Sequence, residues 1–214
     1  LWRMYADGGR LGDAKRAAEQ AAKTAASDRD RSVAIEALGD VLVAQGDRAA
    51  ARRLYQESLE IRKRLAAANP SSAARQRDVS VSLEKLGDVL VAQGDRAAAR
   101  GLYEESLEIR KRLAAADRGS AERQHDVSVS LDKLGNVLVA QGDLAAARRL
   151  YQDSLDIGKR LAAADPSSAA RHRNVSLSLG KLGDVLVAQG DLAAAQGLYE
   201  ESLEIGKRLA AANT

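Results

Sequence analysis

Apolar side chains in the middle of the chain recur at the spacing of an α-helix. Val79, Leu83, Leu86 and Leu90 stand four, three and four residues apart, which places them along one stripe of a helix. A strand is the competing interpretation, because residues 79–83 alternate apolar and polar. The alternation then breaks, whereas the helical stripe continues. The pattern therefore predicts a helix, which we name helix A.

A tight turn and a second helix follow helix A. Gly94 can adopt the left-handed conformation that ends a helix, and Asp95 is suited to cap the next one. The second helix, named helix B, is predicted to end near Ala116. Its apolar stripe contains Ala99, Leu102, Tyr103, Ser106, Leu113 and either Ile109 or Arg110. The two helices are predicted to form an antiparallel hairpin.

This hairpin is repeated along the chain. A segment that opens with Leu-Gly and closes with Gln-Gly-Asp recurs four times at a period of 48 residues. Its first glycines are Gly39, Gly87, Gly135 and Gly183. We predict one continuous domain made of a partial hairpin over residues 1–27 and repeats over residues 28–70, 71–118, 119–166 and 167–214.

The sequence leaves the start of each helix A open. One alternative places it near Ser71, Ser120 and Ser167. The other places it at Asp78, Asp126 and Asn174. Pro70 and Pro166 each follow a capping residue, as at the first turn of a helix, which suits the first alternative. Helix A is therefore either one long helix or a short turn followed by a helix.

The composition favours a thin helical core. Ala, Leu, Arg and Glu dominate, and all four are good helix formers. Phe and Cys are absent and only 3% of the residues are aromatic, so one thick core would be poorly filled. We expect a thin Ala and Leu core repeated along an elongated molecule. The lack of cysteine excludes disulfides and thiolate metal sites.

The charges favour a solvated helical surface. The 33 basic residues are interleaved with 30 acidic ones, and the net charge is only +3. We therefore expect no nucleic-acid partner, because nucleic-acid binding usually needs a dense basic stripe. No stretch reaches the roughly 18 uncharged apolar residues of a membrane helix, so no membrane association is expected. The chain begins at Leu1 without Met, so we interpret it as a piece of a longer protein and take a cytoplasmic location as the default.

The repeated residues resemble the tetratricopeptide repeat, a helical hairpin family of about 34 residues. Leu-Gly in helix A, Gly-Asp at the turn, and Ala followed by an aromatic residue in helix B carry the resemblance. In the second repeat these are Leu86, Gly87, Leu90, Gly94, Asp95, Ala99 and Tyr103. Residues 93–110 are similar to the longer repeats of kinesin light chains and bacterial multi-repeat proteins. The departures are the period of 48 and Ser106 where the family usually has Ala.

The resemblance covers essentially the whole chain, including a partial hairpin from Leu1, Trp2, Tyr5 and Gly9 to Ala14, Ala18 and Ala21. It implies an all-α, right-handed superhelical solenoid of antiparallel helix pairs, with helices A lining the inner face. We expect Gly87 and Ala99 to let the two helices approach closely, and Tyr103 to fill the gap toward the neighbouring unit. The extra residues are expected to lengthen each helix by about seven residues and so to widen the groove.

The residues contain no recognisable catalytic constellation. The glycines near Gly8 and the pair Gly180-Lys181 lack the Gly-Lys-Ser/Thr ending of a nucleotide loop. His125 and His172 stand at non-equivalent places without a second histidine nearby, which argues against a metal site. We therefore predict that the protein is not an enzyme and uses no cofactor.

The expected binding surface consists of the side chains offset from the core stripe of each helix A. In chain order they are Val33, Glu36, Asp40, Val43, Val81, Glu84, Asp88, Val91, Val129, Asp132, Asn136, Val139, Leu177, Gly180, Asp184 and Val187. Acidic and small apolar rows alternate, with Lys85, Lys133 and Lys181 beside them. We hypothesise that this face receives an extended or helical segment bearing Lys or Arg. The alternative is that these rows are solvated residues copied by duplication.

Two functions follow from this pattern. The first is a scaffold that binds a protein or peptide on the face lined by helices A. The second is a self-assembly module that stacks end to end, with the apolar side of Ser202, Ile205 and Leu209 as the contact.

Overall fold

The computed structural model of the protein describes residues 11–211, and within this range the chain is entirely α-helical between short turns. The nine described helices are α1 Leu11–Lys23, α2 Asp28–Ala44, α3 Arg48–Ala68, α4 Ala73–Ala92, α5 Arg96–Ala116, α6 Ala121–Ala140, α7 Leu144–Ala164, α8 Ala169–Ala188 and α9 Leu192–Ala211. Helices α2, α4, α6 and α8 are the predicted helices A, and α3, α5, α7 and α9 are the predicted helices B. The predicted first helical tail at Leu1 to Gly9 lies outside the described residues.

Each later helix A begins at a serine cap. The Ser72 side chain accepts a hydrogen bond from the backbone N–H of Arg75, at 3.4 Å, and α4 then runs unbroken to Ala92. Ser120 and Ser168 cap α6 and α8 in the same way. An oxygen at this place satisfies an N–H that has no partner within the helix. The first alternative is confirmed: helix A is one long helix.

The turns inside the hairpins are built alike. The described glycines with positive φ are Gly46, Gly94, Gly142 and Gly190, with φ between +82° and +86°. The aspartate that follows caps helix B, as when Asp95 Oδ1 accepts a hydrogen bond from the N–H of Ala98 at 3.1 Å. The predicted turn is confirmed. It reverses the chain within two residues, so that A and B pack side by side.

The predicted helix A stripe lies in the core. Val79, Leu83, Leu86 and Leu90 are all buried, with no more than 5% of each side chain exposed. Burial of such aliphatic side chains contributes roughly 1.5–3 kcal/mol each, so the stripe accounts for much of the stability of the hairpin.

A tyrosine packs on a glycine inside each hairpin. A Cβ placed on Gly87 would lie 2.5 Å from Cε1 of Tyr103, which shows that the ring occupies the space a side chain would need. The tyrosine therefore fills its own hairpin first, a contact that the expectation for Tyr103 left out. The equivalent Tyr55 also contacts the next hairpin, because the ammonium of Lys85 on α4 lies 5.7 Å from its ring centroid.

The chain divides into two compact units, Leu1–Ile109 and Arg110–Thr214. In the first unit α1 packs on α2, α2 on α3 and α3 on α4. In the second unit α6 packs on α7, α7 on α8 and α8 on α9. The boundaries of the individual repeats stay a prediction, while the all-α helical repeat fold is confirmed.

Candidate partner-binding surface

The predicted aliphatic rows lie at the surface of helices A. Six of their members have between 38% and 59% of the side chain exposed, and these are Val33, Val43, Val91, Val139, Leu177 and Val187. Val81 and Val129 are partly buried. In the described part of the chain the other exposed large hydrophobic side chains are Leu192, Tyr199 and Leu203, all on α9. Exposed apolar side chains thus collect at the positions chosen for the binding face, except on α9.

The acidic row behaves differently, because its carboxylates are engaged by cations of the same protein. Glu36 on α2 pairs with Arg62 on α3, with Oε2 and Nη1 2.6 Å apart. Only 7% of the Arg62 side chain and 13% of the Glu36 side chain are exposed. A pair removed from water in this way is costly to break from one side, at about 3–5 kcal/mol. Glu36 is therefore part of the framework between α2, α3 and α4.

Asp40, one turn further along α2, is shared by two neighbours. The hydroxyl of Tyr55 donates to its Oδ1 at 2.6 Å, and the ammonium of Lys85 on α4 pairs with the same oxygen. Lys85 also lies 3.7 Å from Glu36 Oε1. These contacts tie α2, α3 and α4 together at the edge of the predicted face.

The acidic positions of α4 divide between core and surface. Glu84 is 6% exposed and accepts a hydrogen bond from the hydroxyl of Ser106 at 3.3 Å. Asp88 is exposed and accepts from the hydroxyl of Tyr103 at 2.7 Å. Only Asp88 of this pair can therefore meet a partner at the surface.

The second unit keeps this arrangement with changed chemistry. Asp132 on α6 pairs through Oδ2 with the Lys181 ammonium on α8, at 2.7 Å. The exposed Asn136 accepts from the hydroxyl of Tyr151 at 2.7 Å. On α8, Asp184 accepts from Tyr199 at 2.7 Å. Gly180 stands where the other helices A carry an acid, so this helix lacks that carboxylate.

The buried tyrosines are held in the neutral form. Burial raises the pKa of the Tyr55 hydroxyl above its ordinary value, and the hydrogen bond to Asp40 raises it further. Burial and the bond to Asp88 likewise raise the pKa of Tyr103. Burial is the main cause for Tyr151, helped by the negative charge of Asp132. Each of these hydroxyls therefore stays protonated and donates a hydrogen bond to helix A, at Asp40, Asp88 or Asn136.

Two features of this region were missed by sequence reasoning. The first is the serine contact between the helices of each hairpin, where the hydroxyl of Ser58 donates to the carbonyl of Ser32 at 3.0 Å. The same bond joins Ser106 to Ser80 and Ser154 to Ser128. The constant spacing of 26 residues between the two serines was the signal that could have found it.

The second missed feature is the buried arginine of helix B. Arg62 and Arg110 are 6% and 5% exposed, although arginine is almost never fully buried without a partner. Arg110 stood as one of two alternatives for the apolar stripe, and both it and Ile109 are buried. The available signal was its spacing, because Arg110 follows Glu84 by 26 residues just as Arg62 follows Glu36.

The surface expected for self-assembly is corrected. Ile205 is 5% exposed, and Ser202 donates to the carbonyl of Ser176 on α8 at 3.1 Å. Both residues therefore face the preceding helix. The exposed side of α9 instead carries Leu192, Tyr199 and Leu203.

The described residues hold no group of histidine and acidic side chains arranged to bind a metal ion. None of the helices in the same range is both long and apolar enough to cross a lipid bilayer. What this face offers chemically is aliphatic contact area beside polar groups whose charges are largely satisfied within the protein.

Comparison with known proteins supports the repeat assignment. Two family models, both described as Tetratricopeptide repeat, match residues 78–160 and residues 33–69 and 175–213, and together they span more than half of the chain. A search of curated protein sequences finds no match.

Solved structures share the fold. BtubC (BKLC) from P. vanneervenii has a TM-score of 0.78 at 17% identity, over 98% of this chain and 78% of that chain. A putative kinesin light chain from Podosopora anserina with nearly identical TPR-like repeats has a TM-score of 0.73 at 22% identity, over 97% and 92%. MamA from Desulfovibrio magneticus RS-1 has a TM-score of 0.57 at 16% identity, over 97% and 92%. Together with the matched family models, the capped hairpins and their glycine–tyrosine contact, these findings establish that the chain belongs to the tetratricopeptide repeat family.

Proposed function

We propose that this protein is a scaffold that binds a protein or peptide on the face formed by helices A within each unit. The observation that carries the proposal is the collection of exposed aliphatic side chains at two repeating positions of helices A, with Val43, Val91, Val139 and Val187 at one and Val33 and Leu177 at the other. Water-exposed apolar side chains that recur in register mark an interaction surface, because their contact area is gained when a partner covers them. Repeat solenoids use such extended surfaces for binding.

The polar positions between these rows define the character of the partner. Asp184 on α8 is an exposed acid, whereas Glu36, Asp40 and Asp132 are paired with lysine or arginine of the chain itself. The partner proposed here is a segment whose apolar side chains cover exposed aliphatic residues of helices A and whose Lys or Arg side chain reaches Asp184. This narrows the hypothesis that the whole acidic row attracts a basic peptide.

A displayed library of random peptides tests the scaffold function. We expect the chain to enrich a consistent set of peptides. Changing Val43, Val91 and Val187 together to Gln is expected to lower their capture at least tenfold, because the variant keeps the fold and removes the apolar contact. Unchanged capture by this triple variant would refute the binding face.

A second candidate function is end-to-end self-association through α9. It is favoured by the exposure of Leu203 and Leu192, at 58% and 65%, beside Tyr199. Light scattering over a concentration series tests it, with Leu203→Gln as the diagnostic change. If α9 is the contact, Leu203→Gln abolishes association and leaves peptide capture intact, whereas the triple valine variant does the reverse.

A further inference from the structure

The buried arginine of the first unit occupies a site built from three helices. Nη1 of Arg62 lies 2.6 Å from Oε2 of Glu36, 2.9 Å from the hydroxyl of Ser82 and 3.1 Å from the carbonyl of Asp78. Its Nε lies 3.5 Å from the hydroxyl of Ser32. A planar guanidinium with five N–H groups can satisfy such a spread of acceptors at once.

In the second unit the same site has lost its arginine. Two periods after Arg62 the chain carries Gly158, and the acceptors recur as Asp132, Asn174, Ser178 and Ser128. All five of these residues line a cavity of about 440 Å³ between α6, α7 and α8. This volume lies within the range of about 300–1,000 Å³ that is typical of ligand pockets.

The carboxylate in this cavity lacks the partner that its counterpart has. Oδ1 of Asp132 is buried and makes no hydrogen bond, while Oδ2 is paired with Lys181. In the first unit Glu36 reaches both the equivalent lysine and Arg62. A buried polar atom without a partner carries an energetic cost, which a donor entering the cavity would relieve.

The other three repeats carry either both the acid and the arginine or neither of them. Glu36 and Arg62 occur together, as do Glu84 and Arg110 one period later. Three periods after the first pair both places are glycine, at Gly180 and Gly206. Only the pair of Asp132 and Gly158 keeps the acid while opening the space opposite it.

The remaining lining suits the stem of an arginine side chain. Val129, Leu161 and Leu177 line the cavity, and Leu177 is 59% exposed. Aliphatic residues of this kind pack along the methylene groups of an arginine whose charged head lies deeper. Arg171 also lines the cavity, but its Nη1 donates to the carbonyl of Leu161 at 2.7 Å, so this cation is already engaged.

We propose that the cavity at Gly158 receives an arginine side chain of a partner protein, with its guanidinium paired to Asp132 in place of the arginine that the first unit supplies from its own helix B. The inference rests on the scaffold function proposed above and gives it a specificity. Arginine is favoured over lysine because the acceptors are spread as they are around Arg62, and because Lys181 already supplies the ammonium.

Filling the cavity from within the chain is the direct test. A Cβ added at Gly158 would meet only Cγ2 of Val175, at 3.5 Å, which is ordinary van der Waals contact, and the cavity lies beside it to receive the rest of the arginine in Gly158→Arg. We expect this variant to fold and to be at least as stable as the parent, because it recreates the pair seen in the first unit. Gly197→Arg is the matched control, since it adds the same charge on a helix B at a site with open space.

The probe is a short acetylated peptide with one arginine between alanines, titrated into the whole chain and followed by NMR at Gly158, Asp132 and Ser178. We expect saturable shifts at these residues, at least tenfold weaker binding of the lysine peptide, and loss of binding in Gly158→Arg and Asp132→Asn but not in Gly197→Arg. Equal binding of both peptides, or unchanged binding in Gly158→Arg, would overturn the proposal.

The displayed peptide library separates this inference from the scaffold function. Enrichment of arginine-containing peptides by the parent chain and not by Gly158→Arg supports the cavity. Enrichment of the same peptides by both chains sinks the cavity and leaves the scaffold function in place. A library from which neither chain enriches any peptide counts against both.

Discussion

At the scale of single residues, the contact between a glycine of helix A and a tyrosine of helix B sets how closely each hairpin packs. A Cβ on Gly39, Gly87 or Gly135 would lie 2.5 Å from the ring of the tyrosine sixteen residues later. The ring cannot easily withdraw, because its hydroxyl donates a hydrogen bond to the side chain of the residue that directly follows the glycine.

Gly87→Ala is therefore expected to destabilise the protein, although alanine is the better helix former. Overpacking costs about 1–3 kcal/mol. The helix propensity gain is only up to about 1 kcal/mol. Urea denaturation measures the difference. Gly101→Ala is the control, because this exposed helical glycine has nothing within 4 Å of its Cβ position, and it is expected to gain about 0.5–1 kcal/mol. A stabilised Gly87→Ala variant would refute the close contact.

The tyrosines also predict loss of stability in alkali. Because burial and hydrogen bonding raise the pKa of Tyr55 and Tyr103 in the folded state, folding favours the protonated hydroxyl. This contribution is fully present below the unfolded pKa of about 10 and is lost as the pH rises above it. We expect the Tm to fall above about pH 10, and the phenolate absorbance of these tyrosines to rise only as helical circular dichroism disappears.

Tyr103→Phe is the control for this prediction. It keeps the ring on Gly87 and removes the titrating group, so its Tm is expected to fall less steeply in alkali. At neutral pH the lost hydrogen bond to Asp88 costs about 1 kcal/mol. Ionisation of Tyr55 or Tyr103 near the ordinary tyrosine pKa while the protein is still folded would contradict the prediction.

At the scale of helices and turns, the ends of the elements are fixed by short local signals. The left-handed glycine and the aspartate that caps the next helix recur in every described hairpin turn. The serine caps fix the starts of α4, α6 and α8 in the same way.

An ordinary side chain in place of the turn glycine is expected to destabilise the protein. Gly94 has φ +86°, which costs an L-residue roughly 1–2 kcal/mol, so Gly94→Ala is expected to lower the free energy of unfolding by about that amount. Gly94→Asn is expected to lose less, because asparagine adopts this conformation more readily. Gly119→Ala is the comparison, a loop glycine with free space and no positive φ. Equal effects at both positions would argue against a special turn geometry.

These same local signals explain how much the sequence could predict. Helical periodicity, the Gly-Asp turn and the apolar stripe with Leu83 depend on near neighbours along the chain, and they predicted the hairpins correctly. The ion pair of Glu36 with Arg62 depends on two residues 26 positions apart on different helices, so the pattern of one helix could not reveal it. The proposed surface role of Glu36, Glu84 and Asp132 therefore overlooked the cations that the fold brings to Glu36 and Asp132 and the burial of Glu84.

At the scale of the whole molecule, stability is expected to rise with the number of hairpins. Within each unit the successive helices pack on the next along the chain, as in repeat proteins whose energy is a sum of neighbour terms. The chain is accordingly expected to tolerate removal of one full period.

Deletion of residues 48–95 tests this view. The deletion joins Asp47 to Arg96 and so recreates the Gly-Asp-Arg turn that occurs at both places. We expect the same mean residue ellipticity as the parent and a lower Tm. Deletion of residues 48–72, about half a period, joins one helix A to the next and is expected to abolish cooperative unfolding. A period deletion that unfolds without cooperativity would count against neighbour-based stability.

The replacement of arginine by glycine on helix B between the first two repeats and the last two has a practical meaning for a protein assembled from copies. The same acceptors surround Arg62 in the first unit and Gly158 in the second. One residue of helix B therefore determines whether the site is filled from within the chain or left open as a cavity. Replacing Arg62 by glycine and Gly158 by arginine is expected to move the cavity to the first unit while the surrounding residues stay the same. Duplication can in this way yield receptors that differ in where they read a ligand while their scaffolds stay the same.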